Sequence, residues 1–419
     1  MPDRPRGADA LLLHGARLAD GRNVDVLIGG PLIEAVGRAG SLTTRGTRLD
    51  LRGHLLLPAP AETHLHADTA LTAAAGSPAS HRPDDVRRRA TEAALLQLSH
   101  GATALRAHVG VGGRGGGQGG PGGGQDRVAG LGALQAVLGA RSALRGLTEL
   151  TAVAVPHVLT GVAGADGLAA LRDAVDMGAD AIGGCPDLDP DPDGFTEAVL
   201  DLASAHGLPV DLHTDGEDPG RLVRLADMAR GLRPGFCLGP CAGLSRLPEG
   251  EAARTADRLA AAAVTLVCLP QGGCCGARLR GTPPVRLLRA AGVRVAAGSG
   301  ALREEAAPVG RGDPLGAAYL LASQQGLSPQ DAYEAVSATA RTALGLPEVR
   351  VEAGFPAELL AVRGDQLAGA LSLAYSRIVV HRGRVVARTS AVREYCDSGA
   401  AALELPRQGR ADCGPGGGP

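Results

Sequence analysis

The segment Thr63-His64-Leu65-His66-Ala67-Asp68 follows an apolar run, His54-Leu55-Leu56-Leu57-Pro58-Ala59-Pro60. Two imidazoles at i and i+2 on a strand face the same side, so both can reach one metal ion. Imidazole is a common ligand for zinc and iron, and catalytic sites usually keep a coordination position open for water. The cysteines offer less. Cys237 and Cys241 flank Leu238-Gly239-Pro240, and Cys274-Cys275 sit in a Gly-rich stretch. Neither pair has the doubled CxxC spacing of a structural zinc site.

Composition narrows the chemistry further. The chain of 419 residues contains no Lys, so every basic side chain other than histidine is Arg. A Schiff base, a P-loop lysine and a carbamylated lysine bridging two metals are thereby excluded. A formal net charge of −2 gives no electrostatic case for nucleic acid or an anionic membrane. Aromatic residues make up 2% and Trp is absent, which removes the stacking platforms a single strand of nucleic acid needs. No run of about 18 apolar residues exists, and Met1-Pro2-Asp3-Arg4-Pro5-Arg6 lacks a secretory pattern. A cytoplasmic location with the eight cysteines reduced is therefore expected.

The elements that must position the histidines form a regular series. Short β-like runs occupy Ala10–Leu13, Val24–Ile28 and Leu32–Val36, and similar runs return at Ala357–Val362 and Arg377–Val386. Between them lie eight candidate buried strands: Leu55–His64, Ala104–Val111, Leu150–Val158, Ala181–Pro186, Pro209–Asp215, Gly235–Cys241, Val264–Pro270 and Val293–Gly300. Helical stretches such as Asp166–Met177, Phe195–His206, Glu251–Ala262 and Pro284–Ala291 separate most of them. Alternation of this kind implies parallel βαβ units, and eight of them imply an α/β fold, a (β/α)8 TIM barrel with its chemistry at the C-terminal strand ends. The expected organisation is a small β-sandwich domain from 1–57 and 350–395, the barrel over 58–349, and a disordered tail over 396–419. The glycine tract Gly110–Gly123 has no strand-to-helix GxGxxG context and no GKS or GKT ending. It is expected to be a flexible loop at the barrel mouth and not a phosphate cradle.

With the strands in place, several motifs resemble one family. Leu57–Asp68 is similar to the first barrel strand of cytosine deaminase-like members of the amidohydrolase superfamily. Arg106-Ala107-His108-Val109 resembles their second strand, and Gly178–Pro186 their fourth. Asp211-Leu212-His213-Thr214-Asp215 resembles their fifth, and Arg311–Ala318 the start of the helix after the eighth. The resemblance spans about residues 10 to 390 and implies one divalent metal, zinc or iron, on His64, His66 and His213. It also implies hydrolysis of a C–N bond in a small nitrogen heterocycle by metal-activated water. Asp68, His108 and Asp215 are expected to orient the imidazoles. His157, where the family often has an amide in the third strand, is expected to face substrate.

The sequence departs from the family at three places. The eighth strand ends Gly298-Ser299-Gly300-Ala301 where an Asp is expected, with Glu304 and Glu305 the nearest acids. The sixth strand has Pro240 before Cys241 in place of a His. Gly216 occupies the position of the proton-carrying Glu, and Glu217, one residue later, becomes the candidate catalytic acid–base. Each such group contributes on the order of 10²–10⁴ in rate, so a weakened hydrolase is expected. The alternative is a catalytically inactive homologue that binds a small molecule or a partner protein in the old pocket. Assembly as a homo-oligomer is left open. The unrelated zinc cytidine deaminase fold is disfavoured, because Pro240-Cys241 is followed by Ala242-Gly243-Leu244 and supplies no second Cys.

Overall fold

A computed structural model describes residues 10–73, 80–112, 123–272, 281–304, 307–373 and 376–391. The glycine tract from 113 to 122, Cys274-Cys275, Glu305 and the expected tail over 396–419 lie outside these residues.

The chain opens with β1 (Leu11–Arg17), β2 (Asn23–Gly29), β3 (Leu32–Arg38), β4 (Thr47–Asp50) and β5 (His54–Pro58). Eight further strands follow: β6 (Ala61–His66), β7 (Ala104–Gly110), β8 (Glu149–Val155), β9 (Ala181–Gly184), β10 (Val210–Thr214), β11 (Phe236–Pro240), β12 (Thr265–Cys268) and β13 (Arg294–Ala297). The last three are β14 (Leu359–Arg363), β15 (Arg377–His381) and β16 (Arg384–Thr389). Strands β6 to β13 pair in sequence order, all parallel, and each is followed by a helix on the outside. This is the (β/α)8 barrel. The ring is drawn together between its first and last strands by Glu62, whose carboxylate accepts the Ser299 amide at 3.0 Å and the Ser299 hydroxyl.

The second sheet runs β16-β15-β14-β5-β1-β2-β3 with β4 beside β1, so both ends of the chain build one small domain. The long apolar run before His64 is two strands, not one. Pro58-Ala59-Pro60 interrupts it, because proline cannot donate to a ladder and biases the residue before it. Strand β5 stays with the terminal sheet, and the barrel begins at Ala61. Alternation along β5 explains its uniform hydrophobicity. Leu55 and Leu57 pack into the barrel core, while Leu56 packs with Leu13, Ile28, Ile33 and Leu359 in the core of the small domain.

Helix starts follow local chemistry. Asp191, Asp218 and Asp313 each cap a helix that begins with Pro, accepting the amides of Gly194, Arg221 and Leu315. The helix Pro192–His206 therefore begins three residues before the apolar periodicity does, and the helix Gly161–Asp176 also begins early, without a side-chain cap. No helix among the described residues is long and apolar enough to cross a membrane.

Candidate metal centre

Strand β6 is buried at every residue, and His64 and His66 leave it on the same side. Their Nε2 atoms lie 2.9 Å apart. A bulge between Glu62 and Leu65 brings His66 into register with His108 on β7. His213 arrives from the end of β10. The rings of His64, His108 and His213 lie close together, His64 stacked on His108 and His213 tilted to both, with centroids 4.2 Å apart for His64–His108, 4.5 Å for His64–His213 and 4.7 Å for His108–His213. One nitrogen from each of these three lies within 4.8 Å of the others.

Burial pushes the His64 imidazole well below its ordinary value, helped by the neighbouring rings. His108 is pushed down to about 4 by burial, against an opposing pull from Asp211. His213 is likewise pushed down to about 4 by burial. Neutral imidazoles keep a lone pair available, which is the form that binds metal. The Nε2 atom of His213 is buried and has no hydrogen-bond partner. Buried polar nitrogens are seldom left so, and a cation would satisfy this one. The donor set, buried and nitrogen-rich, fits a divalent ion that prefers imidazole.

Carboxylates stand behind two of the rings. His66 Nδ1 donates to Glu304 Oε1 at 2.5 Å, and the Thr69 hydroxyl donates to Glu304 Oε2. Asp211 Oδ2 lies 3.4 Å from His108 Nε2 and accepts from Arg106 Nη1 at 3.0 Å. Burial opposes ionisation of Asp211, but His108 and Arg106 outweigh it and hold the carboxyl well below the usual range. Arg106 also reaches the Ala343 carbonyl at 3.0 Å, which fixes its fork beneath the cluster.

The other expected residues are placed as follows. Asp68 is buried and accepts the Gly110 amide at 3.3 Å, while Asp215 is half-buried and its amide donates to Asp187. His157 is half-buried just past β8. Glu217 is exposed and faces Arg246 at 3.3 Å, so its carboxylate is directed to a surface guanidinium. His108, expected to orient other groups, lies with His64 and His213 in a group of three nitrogens that could hold a metal ion. Its position at the C-terminal end of the second barrel strand is the signal that marks it. Glu304 and Asp211 carry weaker signals. Glu304 lies seven residues past β13 in a loop, whereas Asp211 shares a strand face with His213 by the period of two.

Known proteins resemble the chain along most of its length. A model of the amidohydrolase family matches residues 85–387. A pterin deaminase from Rhizobium rhizogenes is 26% identical over 407 residues, covering 87% of this chain and 88% of that protein. N-isopropylammelide isopropylaminohydrolase from Burkholderia multivorans superposes with a TM-score of 0.77 at 25% identity, covering 92% of this chain and 100% of that one. 5-Methylcytosine deaminase from Klebsiella pneumoniae superposes with a TM-score of 0.76 at 21% identity, again covering 92% and 100%. With the family match spanning well over half its length, the chain belongs to the amidohydrolase family.

Proposed function

We propose that the chain is a mononuclear metal-dependent hydrolase that cleaves an exocyclic C–N bond of a small nitrogen heterocycle and releases ammonia or an amine. The buried cluster of neutral ring nitrogens at the C-terminal strand ends carries the reading. His64 and His213 belong both to the ligand set implied by the family resemblance and to the group of three nitrogens within 4.8 Å of one another. His66 and His108 flank His64 and complete the donor set. Zinc or iron is the ion proposed, since both accept imidazole. When bound, such an ion acidifies water and supplies a nucleophile near neutral pH. The relatives named above, acting by name on a pterin, on 5-methylcytosine and on N-isopropylammelide, support an aminated heterocycle as substrate. His157, half-buried in the turn after β8, is the side chain proposed to face it.

One observation favours a second reading, a protein that keeps the metal and binds a heterocycle without turnover. The residues just past the last barrel strand, Ser299 and Gly300, offer no carboxylate to the cluster, and Pro240 ends β11 where an imidazole was expected.

The test is elemental analysis of protein purified without chelator or His tag, followed by an ammonia-release screen of amino-pterins, cytosines and aminotriazines. About one zinc or iron per chain, lost in His213→Ala, together with ammonia release, is the expected result. Metal without turnover would move the second reading ahead. Absence of metal even after supplementation would remove the hydrolytic reading.

A further inference from the structure

The strand end that faces His64 has no acid, yet a carboxylate reaches the cluster from further along the same loop. Glu304 is buried, and its oxygens are engaged by the end of β6 and the segment that follows: Oε1 by His66 Nδ1 and Oε2 by the Thr69 hydroxyl. The loop is seated there by its backbone as well. The Leu71 amide donates to the Leu302 carbonyl at 2.9 Å, and the Ala73 amide to the Arg303 carbonyl at 2.8 Å. Four contacts therefore bind the loop after the last barrel strand to the end of the first strand and the loop after it.

We propose that Glu304 is a positioning residue that holds His66 for metal binding through the imidazole, replacing a carboxylate at the strand end with one placed behind the ring. This rests on the metal reading given above. Glu304 faces His66 Nδ1 while His66 Nε2 faces His64, so the carboxyl group holds the ring by the nitrogen opposite the one turned to the cluster. The negative charge also lies one imidazole away from a buried cation, where it offsets charge without occupying a coordination position.

The full-length protein is tested with cobalt(II) as the probe, comparing wild type, Glu304→Gln and Thr69→Val. Chelator competition gives the affinity, and the visible absorption of bound cobalt reports its coordination. Glu304→Gln is expected to weaken cobalt binding by about 10–100-fold and to shift the visible bands, with the far-ultraviolet circular dichroism of the metal-free protein unchanged. Thr69→Val, which leaves the charge in place but frees one oxygen, is expected to shift the bands in the same direction with a smaller loss of affinity. Equal affinity and identical spectra in wild type and Glu304→Gln would overturn the proposal while leaving the metal site standing. If Glu304→Gln does not fold, an unshifted Thr69→Val spectrum overturns it. A wild-type protein that takes up no cobalt overturns both this proposal and the metal reading beneath it.

Discussion

At the scale of single residues, what separates a working group from a bystander here is which partner claims it. Glu217 is next to the position where a proton-carrying acid was expected, and spacing alone made it the candidate. Its side chain is exposed and paired with Arg246, and a surface ion pair of this kind contributes little. Glu217→Gln is expected to leave metal content unchanged and any heterocycle hydrolysis within about twofold of wild type, whereas a true general acid–base contributes about 10²–10⁴. Steady-state ammonia release checks this, and a loss larger than about tenfold would return Glu217 to the catalytic set. The contrast with Glu304 shows what spacing can convey. His64 and His66 were legible because i and i+2 on a strand is a fixed geometry. Glu304 reaches His66 across 238 positions of chain, and no local pattern encodes such a contact.

At the scale of elements, the barrel strands were legible as apolar runs because parallel strands covered by helices are buried on both faces. Their ends were less so. The run through Leu55 to His64 looked like one strand, and only the partner on each face of β5 reveals that it belongs to the terminal sheet. Close strand approach also sets residue choice. A Cβ built on Gly239 of β11 would lie 2.0 Å from the Val267 carbonyl oxygen of the neighbouring β12. That contact is with backbone, so rotating a side chain cannot relieve it. Gly239→Ala is expected to lower stability by about 1–3 kcal/mol, as overpacking does in a close-packed interior. Because Gly239 pairs with His213 across β10 and β11, the shift should reach the cluster as well. Urea unfolding with and without bound metal checks both effects. An unchanged midpoint would mean that the strands can separate without cost.

At the scale of the molecule, the barrel and the terminal sheet are joined by charge as well as by apolar contact. Arg377 of β15 reaches Asp313, the residue that caps the Pro314–Gln325 helix, with Nη2 at 2.7 Å and Nη1 at 2.8 Å from its two oxygens, and also donates to the His100 carbonyl. Both side chains are largely buried. Burial alone would raise the Asp313 pKa, but Arg377, His100 and the Leu315 amide outweigh it and lower it. A carboxyl whose folded value is depressed binds its proton more readily when unfolded. Its contribution is therefore fully present above the unfolded value, about 4, and is lost as pH falls through the lower folded value. Asp313→Asn leaves the Arg377 charge buried opposite a neutral amide, and should cost on the order of 3 kcal/mol at pH 7. The gap between wild type and variant should then narrow as the pH falls below about 4, where unfolded Asp313 takes up its proton, and close once the pH lies below the lower folded value. Urea midpoints at a series of pH values decide the matter. A gap that stays constant into acid would mean that Asp313 acts as a helix cap alone, and that the two sheets are held together by their shared apolar core.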